Sequence, residues 1–158
     1  MAESGRKWGI LMLLMGEYHH NIDEKGRLVI PSIFREKLGK NFIITKGIEK
    51  CLQIFTEKDW EKIVGNLNTL PFTKKDARTF TRFLFSSAAV CEFDKSGRIN
   101  ITSPLVSYAG LLKECLIIGV NDHLEIWDVK NYEEFLECNE EEISTVAENL
   151  FSGDDYAL

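Results

Sequence analysis

The nine residues from Asp23 to Pro31, DEKGRLVIP, return 71 positions later as DKSGRINIT, from Asp94 to Thr102. The repetition extends well beyond this charged turn. Phe42-Ile43-Ile44-Thr45 is matched by Cys115-Leu116-Ile117-Ile118, and Cys51-Leu52-Gln53-Ile54-Phe55 by His123-Leu124-Glu125-Ile126-Trp127. Pro31 and Gly39 bracket a short segment, as Pro104 and Gly110 do, and Asp59-Trp60 is matched by Asn131-Tyr132 at the following helix entry. Order kept at nearly constant spacing over ~45 residues per copy describes a duplicated unit. Each unit reads strand–turn–strand–short helix–strand–strand–helix.

The units are placed at 15–60 and 88–131, joined by connecting helices over 61–87. Residues 132–158 form an acidic C-terminal helix and tail, and 1–14 an N-terminal extension. In each copy a turn at Lys25-Gly26 or Ser96-Gly97 precedes a short apolar strand. Ser32 to Gly39 reads as a capped turn or two of helix, and Thr56 caps a helix with Trp60, Ile63, Val64 and Leu67 on one face. From Thr73 to Ser86, Ala77, Phe80, Phe83 and Leu84 make an apolar stripe suited to core packing, with Lys74, Lys75, Arg78 and Arg82 on the remaining face. Glu133 to Phe151 reads as one amphipathic helix.

The net charge of −6 argues at first against nucleic acid as a partner. Its distribution does not. Residues 122–158 hold 12 acidic residues and a single basic one, whereas residues 1–121 hold 18 basic against 13 acidic. The acidity belongs to the C-terminal segment, where a solvated helix face is the plain explanation, and a basic surface is left open elsewhere. Cys51, Cys91, Cys115 and Cys138 are too far apart for a zinc or redox pair, and His19, His20 and His123 add no metal-ligand spacing. Buried free thiols in a reducing compartment are the expectation, with no metal and no cofactor. The apolar run Gly9 to Met15 falls short of the ~20 residues that span a bilayer. It has no cleavage site of the signal-peptide kind, so a first strand or an extension in a cytoplasmic protein is expected.

In Asp-x-x-Gly-Arg, the Asp accepts hydrogen bonds from the amides of the turn it starts. The Gly supplies a positive φ, and the Arg either returns to the Asp or points outward. A single such turn is an ordinary hairpin with a surface ion pair, worth ~0–1 kcal/mol. Two copies that keep Asp, Gly and Arg while the strand residues vary make a pair of cationic points suited to phosphate oxygens or guanine edges. The candidate DNA-binding residues are Arg27 and Arg98, with Lys25, Lys95 and Arg35 added on charge grounds. Asp23, Gly26, Asp94 and Gly97 are the candidate loop-shaping residues.

The run GEYHHNIDEKGRLVIPSIFREKLG, with DKSGR as its second copy, closely resembles the MraZ family of bacterial proteins built from two SpoVT/AbrB-type units. The resemblance covers residues from about 15 to 150. It implies a mainly β fold with α-helices: a duplicated swapped-hairpin AbrB-like β barrel with helices after each unit, assembling into ring-shaped homo-oligomers. It further implies a nucleoid-associated DNA-binding transcriptional regulator, a repressor, of the division and cell-wall gene cluster including its own promoter. The implied partners are double-stranded DNA and further copies of the chain, with no membrane and no small-molecule substrate. Family members begin a residue or two before Gly-Glu-Tyr, which implies that Met1 to Leu14 is an extension and makes Met12 and Met15 alternative starts. Thr102 and Val106 stand in the second copy where Pro31 and Arg35 stand in the first, so the first turn is expected to matter more.

Two other classes compete. Single-unit relatives of this fold act as antitoxins, and an acidic C-terminal helix would suit a protein partner. An enzyme would have to rest on Asp23, Asp94 and His123, with no nucleophile arrangement, P-loop or metal spacing to support it.

Overall fold

The computed structural model describes residues 13–139 and 142–152. The first copy supplies β1 (Leu14–Asn21), β2 (Arg27–Val29), α1 (Ser32–Leu38), β3 (Phe42–Lys46), β4 (Leu52–Thr56) and α2 (Glu57–Asn68). After α3 (Lys75–Ser86) the same order recurs: β5 (Ala89–Cys91), β6 (Arg98–Asn100), α4 (Ser103–Ala109), β7 (Glu114–Asn121), β8 (His123–Asp128) and α5 (Val129–Cys138). A last helix, α6 (Ile143–Leu150), follows. The duplicated unit expected from the sequence is therefore present element by element.

Six strands form one antiparallel sheet in the order β1-β7-β8-β4-β3-β5, and β2 and β6 pair as a separate ribbon. The first strand of each copy leaves its own unit: β1 pairs with β7 of the second copy, and β5 with β3 of the first. Register makes the relationship between the halves explicit. Gln53 lies opposite Glu125, its own counterpart, and Leu28 lies opposite Ile99, again its counterpart. A pseudo-twofold axis thus runs through the centres of both the sheet and the ribbon. The chain pairs with itself as two copies of one unit would.

The core lies between these layers. Leu28, Ile30, Ile99 and Ile101 of the ribbon segments, Phe34 and Leu38 of α1 and Leu105 and Ala109 of α4 join Phe42, Ile44, Leu52, Ile54, Cys115, Ile117, Leu124 and Ile126 of the sheet in one buried cluster. Each large side chain so buried contributes ~1.5–3 kcal/mol through apolar burial. Leu52 and Ile54 belong to this cluster, yet Cys51 and Phe55 are buried too, because helices cover the other face of the sheet. Cys51, Leu116 and Trp127 pack there under Tyr132 and Phe135 of α5, while Phe55 stacks on Trp60 of α2, which meets Phe85 of α3. Both covering helices start alike: Thr56 Oγ1 accepts the Asp59 amide, and Asp128 Oδ2 accepts the Asn131 amide.

Four expectations are corrected. The implied barrel is not a closed sheet, since β1 and β5 stand at opposite edges. The three-residue β2 and β6 pair with each other and cover the core as a distinct layer. Ser32 is not a cap: it is the first helical residue, after Pro31, and no side-chain cap bond forms there. The stripe on α3 buries only Leu84, leaving Phe80 exposed and in contact with Phe83. The single C-terminal helix is two helices, α5 and α6. Asn139 ends α5 by directing both its backbone amide and its Nδ2 to the Phe135 carbonyl. Leu14 opens β1 and is buried in the core, while residues 1–12, including most of the apolar N-terminal run, lie outside the described residues. Among the described residues no helix is long and apolar enough to cross a membrane.

Candidate nucleic-acid interface

The two turns are built by the same bonds. Asp23 Oδ1 accepts the amides of Lys25 and Arg27, both at 2.9 Å, and Oδ2 accepts Arg27 Nε–H at 2.6 Å. Asp94 Oδ1 accepts the amides of Ser96 at 2.8 Å and Arg98 at 2.9 Å, and Oδ2 accepts Arg98 Nε–H at 2.8 Å. Backbone bonds close each loop, from the Gly26 amide to the Asp23 carbonyl and from Gly97 to Asp94. The amide of the Arg, then its guanidinium, and the second turn amide hold both carboxyls below the usual aspartate range. Gly26 at φ 79° and Gly97 at φ 73° take the left-handed conformation that the motif requires.

The turns are also tied across the pseudo-twofold axis. The Ile101 amide donates to the Gly26 carbonyl, and the Ile30 amide to the Gly97 carbonyl. Each glycine is thus held against the strand end of the other copy. In the ribbon Leu28 and Ile99 face the core, so Arg27, Val29, Arg98 and Asn100 fall on the opposite, solvent-side face. Arg27 stands opposite Asn100 and Arg98 opposite Val29, which places the two arginines diagonally, ~7–8 Å apart at Cα. Their side chains are about one-third exposed, and only Nε of each is engaged, leaving the terminal Nη groups without partners among the described residues.

Lys25 and Lys95 are exposed beside the turns but are not counterparts. Lys25 aligns with Ser96, and Lys95 with Glu24. Arg35 is not on the arginine face: its Nη1 donates to the Ile30 carbonyl at 3.1 Å, and its guanidinium packs on Gly97. It positions the second turn from the helix of the first copy. Asn100 was not singled out from the sequence, although the alternation Ile99-Asn100-Ile101 already sets it on the face opposite the core. The described residues contain no group of three or more His, Cys, Asp or Glu able to hold a metal.

A surface of two arginines, an asparagine and flanking lysines offers hydrogen-bond donors and positive charge, with no nucleophile or general base among them. Cys51, Cys91 and Cys115 are buried, and burial raises their thiols, to about 11 for Cys91 and about 12 for Cys115. None is poised to react. The chain matches the protein-family model described as "MraZ protein, putative antitoxin-like" over residues 13–83 and again over 84–153. The boundary between the matches falls in the last turn of α3, a few residues before β5, where the structural repeat restarts. With both matches taking in most of its length, the chain belongs to the MraZ family, a non-enzymatic regulator family, as two repeated MraZ domains.

Proposed function

We propose that this protein is a sequence-specific DNA-binding transcriptional regulator, a repressor of the division and cell-wall gene cluster including its own promoter. The observation that carries this reading is the β2–β6 ribbon, which turns Arg27 and Arg98 outward on one face while Leu28 and Ile99 anchor it to the core. A major groove ~12 Å wide admits a two-stranded ribbon, and arginine is the commonest reader of guanine there. Holding Nε on an aspartate fixes each guanidinium plane and leaves its outer edge for a base or phosphate. Lys25 and Lys95 supply phosphate contacts beside it.

A single ribbon is a modest cation, since Asp23, Glu24 and Asp94 offset much of its charge. Affinity then comes from many ribbons acting together on repeated DNA elements. A ring-shaped homo-oligomer supplies them. Apolar side chains exposed on and near α2 and α3, with Phe72 81% exposed and Leu70 and Phe80 exposed as well, suit contacts between copies. In this reading the swapped-hairpin unit works inside a cytoplasmic, nucleoid-associated ring, and the acidic C-terminal segment keeps DNA to the ribbon face.

The second reading is an antitoxin-like protein-binding module. It is favoured by α6, where Ile143 is 80% and Leu150 65% exposed. Fluorescence anisotropy separates the two, using the duplex upstream of the gene and a scrambled duplex at two salt concentrations. Preference for the native duplex, weakened by salt, is expected. Arg27→Ala should lower affinity ~5- to 100-fold with the fold and assembly intact. An unchanged curve for that variant would remove the ribbon as the site, and no binding at either salt would leave the protein-binding reading.

A further inference from the structure

Duplication makes each turn a control for the other, and the two differ in what packs on the glycine. At the second turn the Arg35 guanidinium fills the space over Gly97 and bonds the Ile30 carbonyl. At the first turn the aligned residue on α4 is Val106, which carries no donor. Over Gly26 the Ile101 carbonyl takes the place that the guanidinium holds over Gly97, and beside it a cleft of about 320 Å³ has a lining that includes Asp23, Glu24, Gly26, Ile101 and Val106. The Ile101 carbonyl, counterpart of the one Arg35 bonds, lies against Gly26 and accepts no hydrogen bond among the described residues. Charge follows the same division. Where the guanidinium is built in, the adjoining turn residue is Lys95; where it is missing, the aligned residue is Glu24, a carboxylate with no partner among the described residues.

We propose that this cleft binds a guanidinium group. A planar cation with N–H groups directed two ways fits between the Ile101 carbonyl and the Glu24 carboxylate, as Arg35 fits against Ile30 in the other half. Lys25, which also lines the cleft, stands on the exposed side of the turn and sets a charge that the ligand must avoid. The group comes either from a free guanidino compound such as arginine or from an arginine side chain of a second copy. Occupancy gives the Ile101 carbonyl the donor that Arg35 gives the Ile30 carbonyl. The inference does not depend on DNA binding.

The test uses the full chain, following backbone amide NMR signals while methylguanidinium chloride is added, with methylammonium chloride at equal ionic strength as the control. Saturable shifts at Gly26 and Ile101, absent at Gly97 and Ile30, are expected from methylguanidinium alone. Val106→Arg, which builds the cation in, should lose the response. So should Glu24→Lys, an exposed change that leaves the core untouched. No saturable shift at Gly26, an equal shift from methylammonium, or an undiminished response in Glu24→Lys would overturn the assignment. Repeating the titration at two protein concentrations identifies the source. Equal affinity at both indicates a free guanidino compound, and weaker apparent affinity at the higher concentration indicates an arginine of a second copy competing for the cleft.

Discussion

Substituting alanine at Gly97 and Gly26 gives a measurable account of how the turns are held. Both glycines lie at positive φ, so either substitution carries the left-handed penalty of ~1–2 kcal/mol. What each new methyl group meets is different. At Gly97 it meets the end of the Arg35 side chain, which can swing away at the loss of its bond to the Ile30 carbonyl. A bond from a charged donor is worth ~1.5–3 kcal/mol, and partial exposure of Arg35 puts this one at the lower end. Gly97→Ala should therefore destabilise the protein by ~2–4 kcal/mol. With Arg35→Ala already in place only the backbone penalty remains, so the same substitution should then cost ~1–2 kcal/mol. At Gly26 the methyl group meets the backbone carbonyl of Ile101, which no side-chain change removes. Moving that backbone also strains the 2.7 Å bond from the Ile101 amide to the Gly26 carbonyl. Gly26→Ala should cost at least as much as Gly97→Ala, and no less in the Arg35→Ala background. The assay is urea unfolding followed by tryptophan fluorescence at one fixed protein concentration, because association shifts apparent stability. A Gly97→Ala penalty that is the same with and without Arg35 would refute the packing of Arg35 on that turn.

Two further outcomes follow from burial and charge. A thiol reagent added to the native protein should titrate one cysteine rapidly, the exposed Cys138, and reach Cys51, Cys91 and Cys115 only on unfolding; two fast thiols would contradict the core. Asp23 and Asp94 bind protons more weakly when folded, so the turns contribute stability above the unfolded aspartate value of 3.8 and lose it as pH falls below that value. His123 acts in the opposite sense. Burial disfavours its imidazolium, but Glu125 and Asp122 together outweigh this and raise it above 6.5. Its contribution is complete below pH 6.5 and is lost as pH rises through the folded value. Urea midpoints across pH should therefore show an acid limb that flattens when both aspartates become asparagine, and a shallow fall above pH 6.5 that disappears in His123→Phe.

The sequence by itself determined the repeated unit and the interior of each turn. The bonds within the turn from Asp23 to Arg27 join residues at most four apart, so the types and spacing of Asp, Gly and Arg specify its interior. Helix α2 was legible for the same reason, with its Thr56 cap beside its first turn. The tertiary structure alone decided how the copies meet. The pairings of β1 with β7, and of β2 with β6, join residues 69 or more positions apart, and no local preference sets their register. That register turned Arg27 and Arg98 to one face, and the packing of the two halves set Arg35 against Gly97. It also left a cleft at Val106, because a difference between copies becomes a cavity only where the fold packs the two positions against equivalent turns.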